Sequence, residues 1–302
     1  MPMSDGGDGL LDVLAGLGGD LRHTDVTGPL GSTVRAPWRR FDGTAVIEMA
    51  QASGISLVGG ASGNDPLAAT TRGTGELIVA ALESSPRRVV VGLGGSATTD
   101  GGLGAVQVVA QAGGLGGVEL VGACDVGAGF VDAARQFARQ KGADDDGITE
   151  LVARLEQVAI DYLRQYGVDV REVPGAGAAG GLGGGILALG GSLTSGFDLV
   201  ASMLGLERSW EGSQLAVTGE GALDAASFDG KVVGGVVGAA SARGLPVVII
   251  AGHADESSIA VASHLGARVV SLTERFGADR ACHHTLTCIE MATADTIDAA
   301  TG

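Results

Sequence analysis

The chain has 302 residues and a formal net charge of −16 at pH 7, a length that allows one large domain or two smaller ones. A surface this acidic repels phosphate backbones and anionic lipids, which argues against nucleic-acid binding and against docking on a membrane. Three cysteines are too few for a disulfide scaffold and no signal peptide is recognisable, so we expect a soluble, cytoplasmic protein.

Short runs rich in β-branched residues predict the strands. Each run ends in glycine or a small polar residue, as is typical of buried strands in α/β proteins. The predicted strands cover residues 44–49, 88–93, 118–124, 214–218, 246–251 and 267–272. With six Phe, two Trp and two Tyr, the core has to be built mainly from Val, Leu, Ile and Ala.

Stretches with helical spacing lie between these strands. They cover residues 75–83, 147–166 and 231–243. In the second of them, Leu151, Leu155 and Val158 recur on one face with charges on the other, which predicts an amphipathic surface helix. Strands that alternate with helices predict an α/β fold.

The strongest local signal for chemistry is the stretch 92–102, where a predicted strand runs into glycines, hydroxyls and one acid. Glycines let backbone N–H groups approach a phosphate, and the N-terminus of a following helix adds favourable partial charge. The alternative is a tight turn in which the acid caps the helix. The candidate nucleotide-binding residues are Gly94, Gly95, Ser96, Thr98 and Asp100.

A second glycine cluster, residues 174–183, contains a G-x-G-x-x-G pattern. No convincing strand precedes it and glycine is abundant in the chain, so a dinucleotide site is disfavoured. Close approach of the backbone to another ligand is favoured, with helix packing as the alternative. The candidate nucleotide-binding residues are Gly175, Gly177, Gly180 and Gly181.

A third cluster, Glu220, Asp224 and Lys231, follows another predicted strand. Open α/β sheets bind ligands at such strand ends. The cluster is not a Walker A loop, because Val232 stands where Ser or Thr is needed. Two acids and a lysine suit metal–phosphate chemistry, and the alternative for Lys231 is a solvated residue in the first turn of a helix.

Taken together, the clusters resemble the type-1 glycerate kinase family. The chain carries G-L-G-G-S-A-T-x-D-G-G at 92–102, P-G-A-G-A-A-G-G-L-G at 174–183, and T-G-E-G-x-L-D at 218–224 followed by Gly-Lys. Further family stretches lie, in the family's order, at residues 5–9, 48–54, 70–78, 123–126 and 140–143. Eight motifs in one order are not a chance match.

The resemblance implies two α/β domains with the active site in the cleft between them. One is a flavodoxin-like domain built from residues 1–37 and 213–302, and the other is an inserted α/β domain at 38–212. The family's usual N-terminal strand and I-A-P-D-S-F-K-like loop have no counterpart here, so we expect the flavodoxin-like domain to be truncated.

The reaction that the resemblance implies is transfer of the ATP γ-phosphoryl group to D-glycerate with Mg²⁺, and 2-phosphoglycerate is the favoured product. We assign catalytic roles to Asp224, Lys231, Glu220 and Asp125, of which Asp224 and Glu220 are the metal ligands. We assign substrate binding to Asp5, Gly6, Gly7 and Lys141. The alternative is a degenerate or truncated relative that binds nucleotide or glycerate without turnover, and a homodimer is compatible with the sequence.

Overall fold

The computed structural model describes the backbone of residues 1–301 and the side chains of residues 1–297. By its internal contacts the chain forms two compact units, which meet in sequence between Val200 and Ala201. Each unit combines a β-sheet with α-helices, so the predicted α/β class is confirmed. No helix in the described part of the chain is long and apolar enough to cross a membrane.

The first unit contains a mixed sheet in which the strands follow one another in chain order. Its strands are β1 (Asp20–Thr27), β2 (Thr33–Phe41), β3 (Thr44–Glu48), β4 (Arg88–Gly92), β5 (Glu119–Cys124) and β6 (Ser192–Ser195). Strands β1, β2 and β3 pair antiparallel, whereas β3 to β6 pair parallel. The three strands predicted in this part of the sequence are confirmed, and β1, β2 and β6 were not predicted.

The helices of the first unit cover both faces of the parallel strands. They are α1 (Leu10–Val13), α2 (Ala50–Ser53), α3 (Arg72–Glu83), α4 (Leu103–Gln111), α5 (Asp132–Phe137), α6 (Asp145–Tyr166), α7 (Ala178–Ala188) and the start of α8 (Gly196–Leu204). Short 3₁₀ helices lie at Leu14–Leu17, Ile55–Val58, Ala61–Gly63 and Arg139–Lys141. In β4, Val89, Val90 and Val91 are fully buried, which is the pattern of a parallel strand covered on both faces.

Helix α6 shows why the amphipathic pattern was predictive. Leu151, Leu155 and Val158 are buried in an apolar cluster together with Phe130, while charged residues occupy the other face. The helix begins at an N-cap, Asp144, whose carboxylate accepts a hydrogen bond from the backbone N–H of Gly147. Its apolar face packs against the loop that follows β4, where the hydroxyl of Tyr162 donates to the carbonyl oxygen of Gly101.

The second unit contains a parallel sheet in the order β7-β8-β9. Its strands are β7 (Ala216–Leu223), β8 (Val247–Ala254) and β9 (Ala267–Ser271). Its helices are α9 (Leu206–Ser209), α10 (Val232–Ser241), α11 (Glu256–His264), α12 (Leu272–Phe276), α13 (Ala278–His283) and α14 (Thr285–Thr301), with a 3₁₀ helix at Ala225–Phe228. The strand–helix–strand order of β7, α10 and β8 agrees with the prediction.

The antiparallel strands β1 and β2 lie in the sheet of the first unit, since β2 pairs with β3 through Trp38 and Ile47. Residues 20–41 therefore pack with the parallel strands that follow them in sequence. The division into residues 1–37 with 213–302, and 38–212, stays a prediction.

Candidate functional site

A cavity of about 360 Å³ lies in the first unit, where the chain leaves the carboxyl ends of the neighbouring strands β4 and β5. Ligand sites of parallel α/β sheets are found at this edge. Six of the residues singled out from the sequence line this cavity: Gly94, Gly95, Ser96, Asp125, Lys141 and Gly180. They come from four separate stretches of sequence, and only folding brings them together.

Lys141 is the cation of this cavity. Its side chain is buried, with 5% of its surface exposed, and Nζ donates hydrogen bonds to Ser96 Oγ and to the carbonyl oxygen of Thr98, both at 2.7 Å. The lysine therefore fixes the loop after β4 in one conformation. It also supplies a local positive charge that can hold an anion on a protein whose net charge is strongly negative.

Burial lowers the pKa of Lys141 to about 8, because the charged form loses its hydration. The nearby carboxylate of Asp100 acts in the opposite direction and limits this shift. At neutral pH the amine is thus charged for most of the time, and it loses its proton as the pH rises through about 8.

Direct titration of Lys141 should show this low pKa. The sequence contains two lysines, Lys141 and Lys231, so protein labelled with ¹³C-lysine gives two Cε signals, and Lys231→Arg assigns them. We expect the Lys141 signal to titrate near pH 8. Since an unfolded lysine titrates near 10.4, unfolding takes up a proton between these values, and Lys141 makes the fold more stable as the pH rises from 8 to 10.4. A Lys141 midpoint above pH 10 would contradict its burial.

The glycine loop that follows β4 is held by backbone hydrogen bonds to the segment around α2. The backbone N–H of Ala97 donates to the carbonyl oxygen of Ser53, and that of Ile55 donates to the carbonyl oxygen of Gly95. The hydroxyls of Thr98 and Thr99 are fully buried and have no hydrogen-bond partner among the described side chains and backbone. Such groups are costly to leave unpaired, which is typical of a site prepared for a ligand or water.

Asp100 lies at the end of this loop and makes its contacts within the protein. Its carboxylate accepts hydrogen bonds from the N–H and hydroxyl of Thr71, both at 2.8 Å, and from the N–H of Gly102 at 3.0 Å. It also accepts the N–H of Gly104 at 3.3 Å, in the first turn of α4. These bonds favour the capping role over a ligand contact, and nucleotide binding by Asp100 stays a prediction.

The second glycine cluster forms the irregular start of α7. Ala179, Gly180 and Gly181 all have left-handed backbone conformations, with φ values of 52°, 69° and 93°. A β-carbon on Gly180 would overlap the carbonyl oxygen of Thr98, which is itself an acceptor for Lys141. Gly180 therefore lets α7 approach the loop after β4, and with Ala179 it lines the cavity.

The other glycines of this cluster are packed against the protein itself. A β-carbon on Gly175 would touch Cys124 Sγ, one on Gly177 would overlap the carbonyl oxygen of Gly129, and one on Gly181 would touch the Cα of Gly101. For these three positions the geometry favours close packing against a strand and two loops, rather than the helix packing considered from the sequence. Their role in nucleotide binding stays a prediction.

The N-terminal stretch lies against the glycine loop. A β-carbon on Gly94 would meet the Cα of Gly7, and Asp5 Oδ1 accepts the N–H of Gly7 at 3.1 Å. Gly6 has a φ of 91° and packs on Ala123 at the end of β5. Asp5, Gly6 and Gly7 are thus beside the predicted loop, although they do not line the cavity.

The candidates of the second unit follow the course of β7. Glu220 lies in the strand, and its Oε1 is buried without a hydrogen-bond partner among the described residues. Asp224 follows the end of the strand as the N-cap of the 3₁₀ helix, with Oδ1 accepting from the N–H of Ser227. Lys231 stands at the N-cap position of α10. Among these three residues, Glu220 carries a buried carboxylate oxygen that is available to a cation or a hydrogen-bond donor.

Asn64 contributes to the cavity region and was not recognised from the sequence. Its Nδ2 donates to the carbonyl oxygens of Ala97, at 3.0 Å, and of Lys141, at 2.9 Å. One amide thus joins two segments that are far apart in sequence. A lone asparagine in a glycine-rich loop carries no motif that would have revealed this.

Cys124, next to the cavity, is unsuited to act as a nucleophile. Burial and then the neighbouring carboxylate of Asp125 raise the pKa of its thiol to about 11. The thiol therefore stays protonated at neutral pH, and Cys124 acts as a small core residue.

A larger cavity, of about 590 Å³, lies elsewhere in the first unit and contains none of the predicted residues. Its basic groups, Arg135 and Arg171, are each paired with an aspartate, and Glu156 and Glu172 line it as well. These pairings leave no net cationic surface for an anion. The smaller cavity is therefore the better candidate for phosphate chemistry.

The chain is similar to known glycerate kinases over most of its length. The model of the glycerate kinase family matches residues 1–112 and 111–300, which is nearly the whole chain. A solved chain from Salmonella typhimurium LT2, described as a glycerate kinase 2, superimposes with a TM-score of 0.73 at 35% identity, over 89% of this chain and 79% of that one.

Three curated relatives are similar to the chain over most of its length. Glycerate 2-kinase of Escherichia coli K12 is 41% identical over 87% of this chain and 78% of its own length. Glycerate kinase of Bacillus subtilis 168 is 38% identical over 87% of this chain and 78% of its own. An uncharacterised protein of Mycobacterium bovis is 42% identical over 92% of this chain and 76% of its own.

Proposed function

The chain belongs to the glycerate kinase family, and we propose that it transfers the γ-phosphoryl group of ATP to D-glycerate, releasing ADP and 2-phosphoglycerate. As a member of this family the chain is a phosphotransferase. The observation that carries the substrate proposal is the cavity that combines a glycine loop, Lys141 and Asp125. The cytoplasm, where ATP is plentiful, is the compartment that we propose for the reaction.

The cavity offers the two interactions that phosphoryl transfer needs, which are positioning and neutralisation of charge. Lys141 pairs with an anionic group, the carboxylate of glycerate or a terminal phosphate oxygen. Gly94 and Gly95 allow backbone N–H groups to approach phosphate oxygens, and Ser96 adds a hydroxyl. Hydrogen bonds within the protein hold Lys141 on the loop after β4, so little reorganisation of this cation opposes the transition state.

The chemical step forms a bond from a glycerate hydroxyl oxygen to the γ-phosphorus and breaks the bond from that phosphorus to the bridging oxygen of ADP. The hydroxyl proton has to leave as this happens. We assign its acceptance to Asp125, because this residue lines the same cavity and a carboxylate can accept a proton. ADP leaves with the electron pair of the broken bond.

A magnesium ion fits the carboxylates of the second unit. Mg²⁺ is commonly held by one or two carboxylates and by substrate phosphates, and Glu220 carries a buried oxygen without a partner. In this proposal Glu220 and Asp224 hold the ion, which would neutralise charge on the phosphates when bound, and Lys231 offsets further negative charge. Within the described residues no group of three or more His, Cys, Asp or Glu side chains comes together as a metal site.

The test of the proposed function is a coupled assay of ADP release with D-glycerate, ATP and Mg²⁺. Product identity follows from a second coupling, because enolase consumes 2-phosphoglycerate directly whereas 3-phosphoglycerate first requires a mutase. ADP release that depends on D-glycerate supports the proposal. Tight binding of nucleotide or glycerate without turnover would favour the non-catalytic alternative.

Replacement of Asp224 by asparagine separates chemistry from folding. Asparagine caps helices as well as aspartate, so Asp224→Asn should change the free energy of unfolding by less than about 0.5 kcal/mol. Loss of a metal-binding charge should lower kcat by about 100-fold. Turnover and urea-induced unfolding are the two measurements.

Asp255→Asn is the matched control, because Asp255 caps α11 in the same unit through the N–H of Ser258 and is outside the proposed site. We expect this control to keep full turnover. An Asp224→Asn protein that turns over like the control would remove Asp224 from the site.

A further inference from the structure

Two segments that carry the reactive groups of the cavity meet at Asn64. Its carboxamide donates one hydrogen bond to the carbonyl oxygen of Ala97, in the loop that follows β4, and one to the carbonyl oxygen of Lys141. Both acceptors are backbone atoms directly next to, or part of, the residues that face the cavity. The amide therefore helps to set the positions of these two backbone segments beside the cavity.

The orientation of this amide is fixed by its surroundings. Both close neighbours are carbonyl oxygens, which accept hydrogen bonds, so only the NH₂ end of the side chain can face them. Its Oδ1 is buried and has no donor among the described residues. The side chain thus donates to two carbonyl oxygens while its own acceptor stays unpaired, although an unpaired buried acceptor is destabilising.

Other contacts bring the same two segments together around Asn64. The 3₁₀ helix Ala61–Gly63 precedes it, and a β-carbon on Gly142 would lie 2.6 Å from the carbonyl oxygen of Ala61. The backbone groups of Ser53 and Ile55 also form hydrogen bonds with the loop after β4. The segment from Ser53 to Asn64 therefore contacts the glycine loop at one end and the turn that carries Lys141 at the other.

We propose that Asn64 is a positioning residue, which holds the Lys141 turn against the loop after β4 so that Nζ of Lys141 stays on Ser96 Oγ. The 2.7 Å hydrogen bond between these atoms joins side chains that are 45 residues apart in sequence. It forms only when both backbone segments are correctly placed. Asn64 supplies the link between them. The consequence for turnover rests on the proposed kinase function, whereas the consequence for Lys141 does not.

The first measurement uses the wild-type protein. Asn64 is the one asparagine in the sequence, so labelling with ¹⁵N-asparagine gives a single pair of carboxamide signals. Because both protons are bonded to carbonyls, we expect them to exchange with water far more slowly than those of free asparagine. Two rapidly exchanging protons would overturn the proposal without any variant.

The second measurement compares Asn64→Leu and Asn64→Ala, which remove both donors without adding a charge, with Asp65→Ala. Asp65 is the next residue and accepts from the N–H groups of Leu67 and Ala68, so this control loosens the same loop without touching Ala97 or Lys141. We expect both Asn64 variants to raise the Lys141 midpoint from about 8 by at least one pH unit, as water reaches Nζ, and the control to leave it unchanged.

Turnover provides the last readout. A small displacement of a reacting group can cost about 100-fold in rate, and we expect a loss of this size in kcat/KM for D-glycerate in both Asn64 variants. A wild-type Lys141 midpoint together with wild-type turnover in both variants would refute the positioning role. If wild-type protein does not phosphorylate glycerate but the Lys141 midpoint still moves, the proposed function fails and the role of Asn64 stands.

Discussion

Replacement of Lys141 by methionine is expected to lower kcat/KM for D-glycerate by about 1,000-fold, because it removes the buried cation from a cavity of a highly acidic protein. The fold should survive. The loss of the hydrogen bonds to Ser96 and Thr98 destabilises the variant, whereas removal of a buried charge stabilises it. Because the two effects oppose each other, we expect the free energy of unfolding at pH 7 to change by about 1 kcal/mol or less.

The pH profile gives this prediction a second readout. In wild-type protein kcat/KM should fall as the pH rises through about 8, where free Lys141 loses its charge, and this limb should vanish in Lys141→Met. Arg154→Met is the control, since Arg154 is a partly buried cation of the same unit that bonds the carbonyl oxygen of Leu67. Equal activity in the two variants would show that Lys141 has no part in the reaction.

Replacement of Gly180 by alanine should destabilise the first unit by about 3 kcal/mol. An alanine at φ 69° costs about 1–2 kcal/mol, and overlap of its β-carbon with the carbonyl oxygen of Thr98 adds a similar amount. Movement of Thr98 would also displace an acceptor of Lys141, so we expect activity to fall as well. Urea-induced unfolding, followed by Trp38 fluorescence in a Trp210→Phe background, measures the first unit.

Gly190→Ala separates the two causes of this loss. Gly190 has a φ of 86°, but a β-carbon there would meet open space, so this variant carries the conformational strain alone. We expect a cost of about 1–2 kcal/mol. If Gly180→Ala is no less stable than Gly190→Ala, the close approach of α7 to the loop after β4 is not tight.

The parallel strands were predictable because they are buried on both faces. Val89, Val90 and Val91 form a continuous apolar run that ends in glycine, and this signal is local. Strands β1 and β2 escaped prediction for the opposite reason. They pair antiparallel at the edge of the sheet, expose many polar side chains, and β2 contains Pro37, a residue that argues against a strand.

The sequence motifs selected several residues that line the cavity, and their role in a site stays a prediction. Ser96 and Lys141 were chosen from different motifs, and the structure brings them into hydrogen-bond contact. Asp100 was chosen from the same loop as Ser96, yet its carboxylate is occupied by backbone N–H groups of its own chain. Sequence spacing cannot separate these cases, because both residues follow the same strand and differ only in the direction of their side chains.

The sequence by itself determined the α/β class, the positions of the buried parallel strands and the family, since these depend on local apolar runs and on motifs in a fixed order. Only the tertiary structure decided which glycines face a cavity and which are packed against backbone, as with Gly180 and Gly177. Only the tertiary structure also revealed Asn64. The physical reason is that hydrogen bonds across 33 and 77 residues leave no periodic trace in the chain and exist only once both partners are folded.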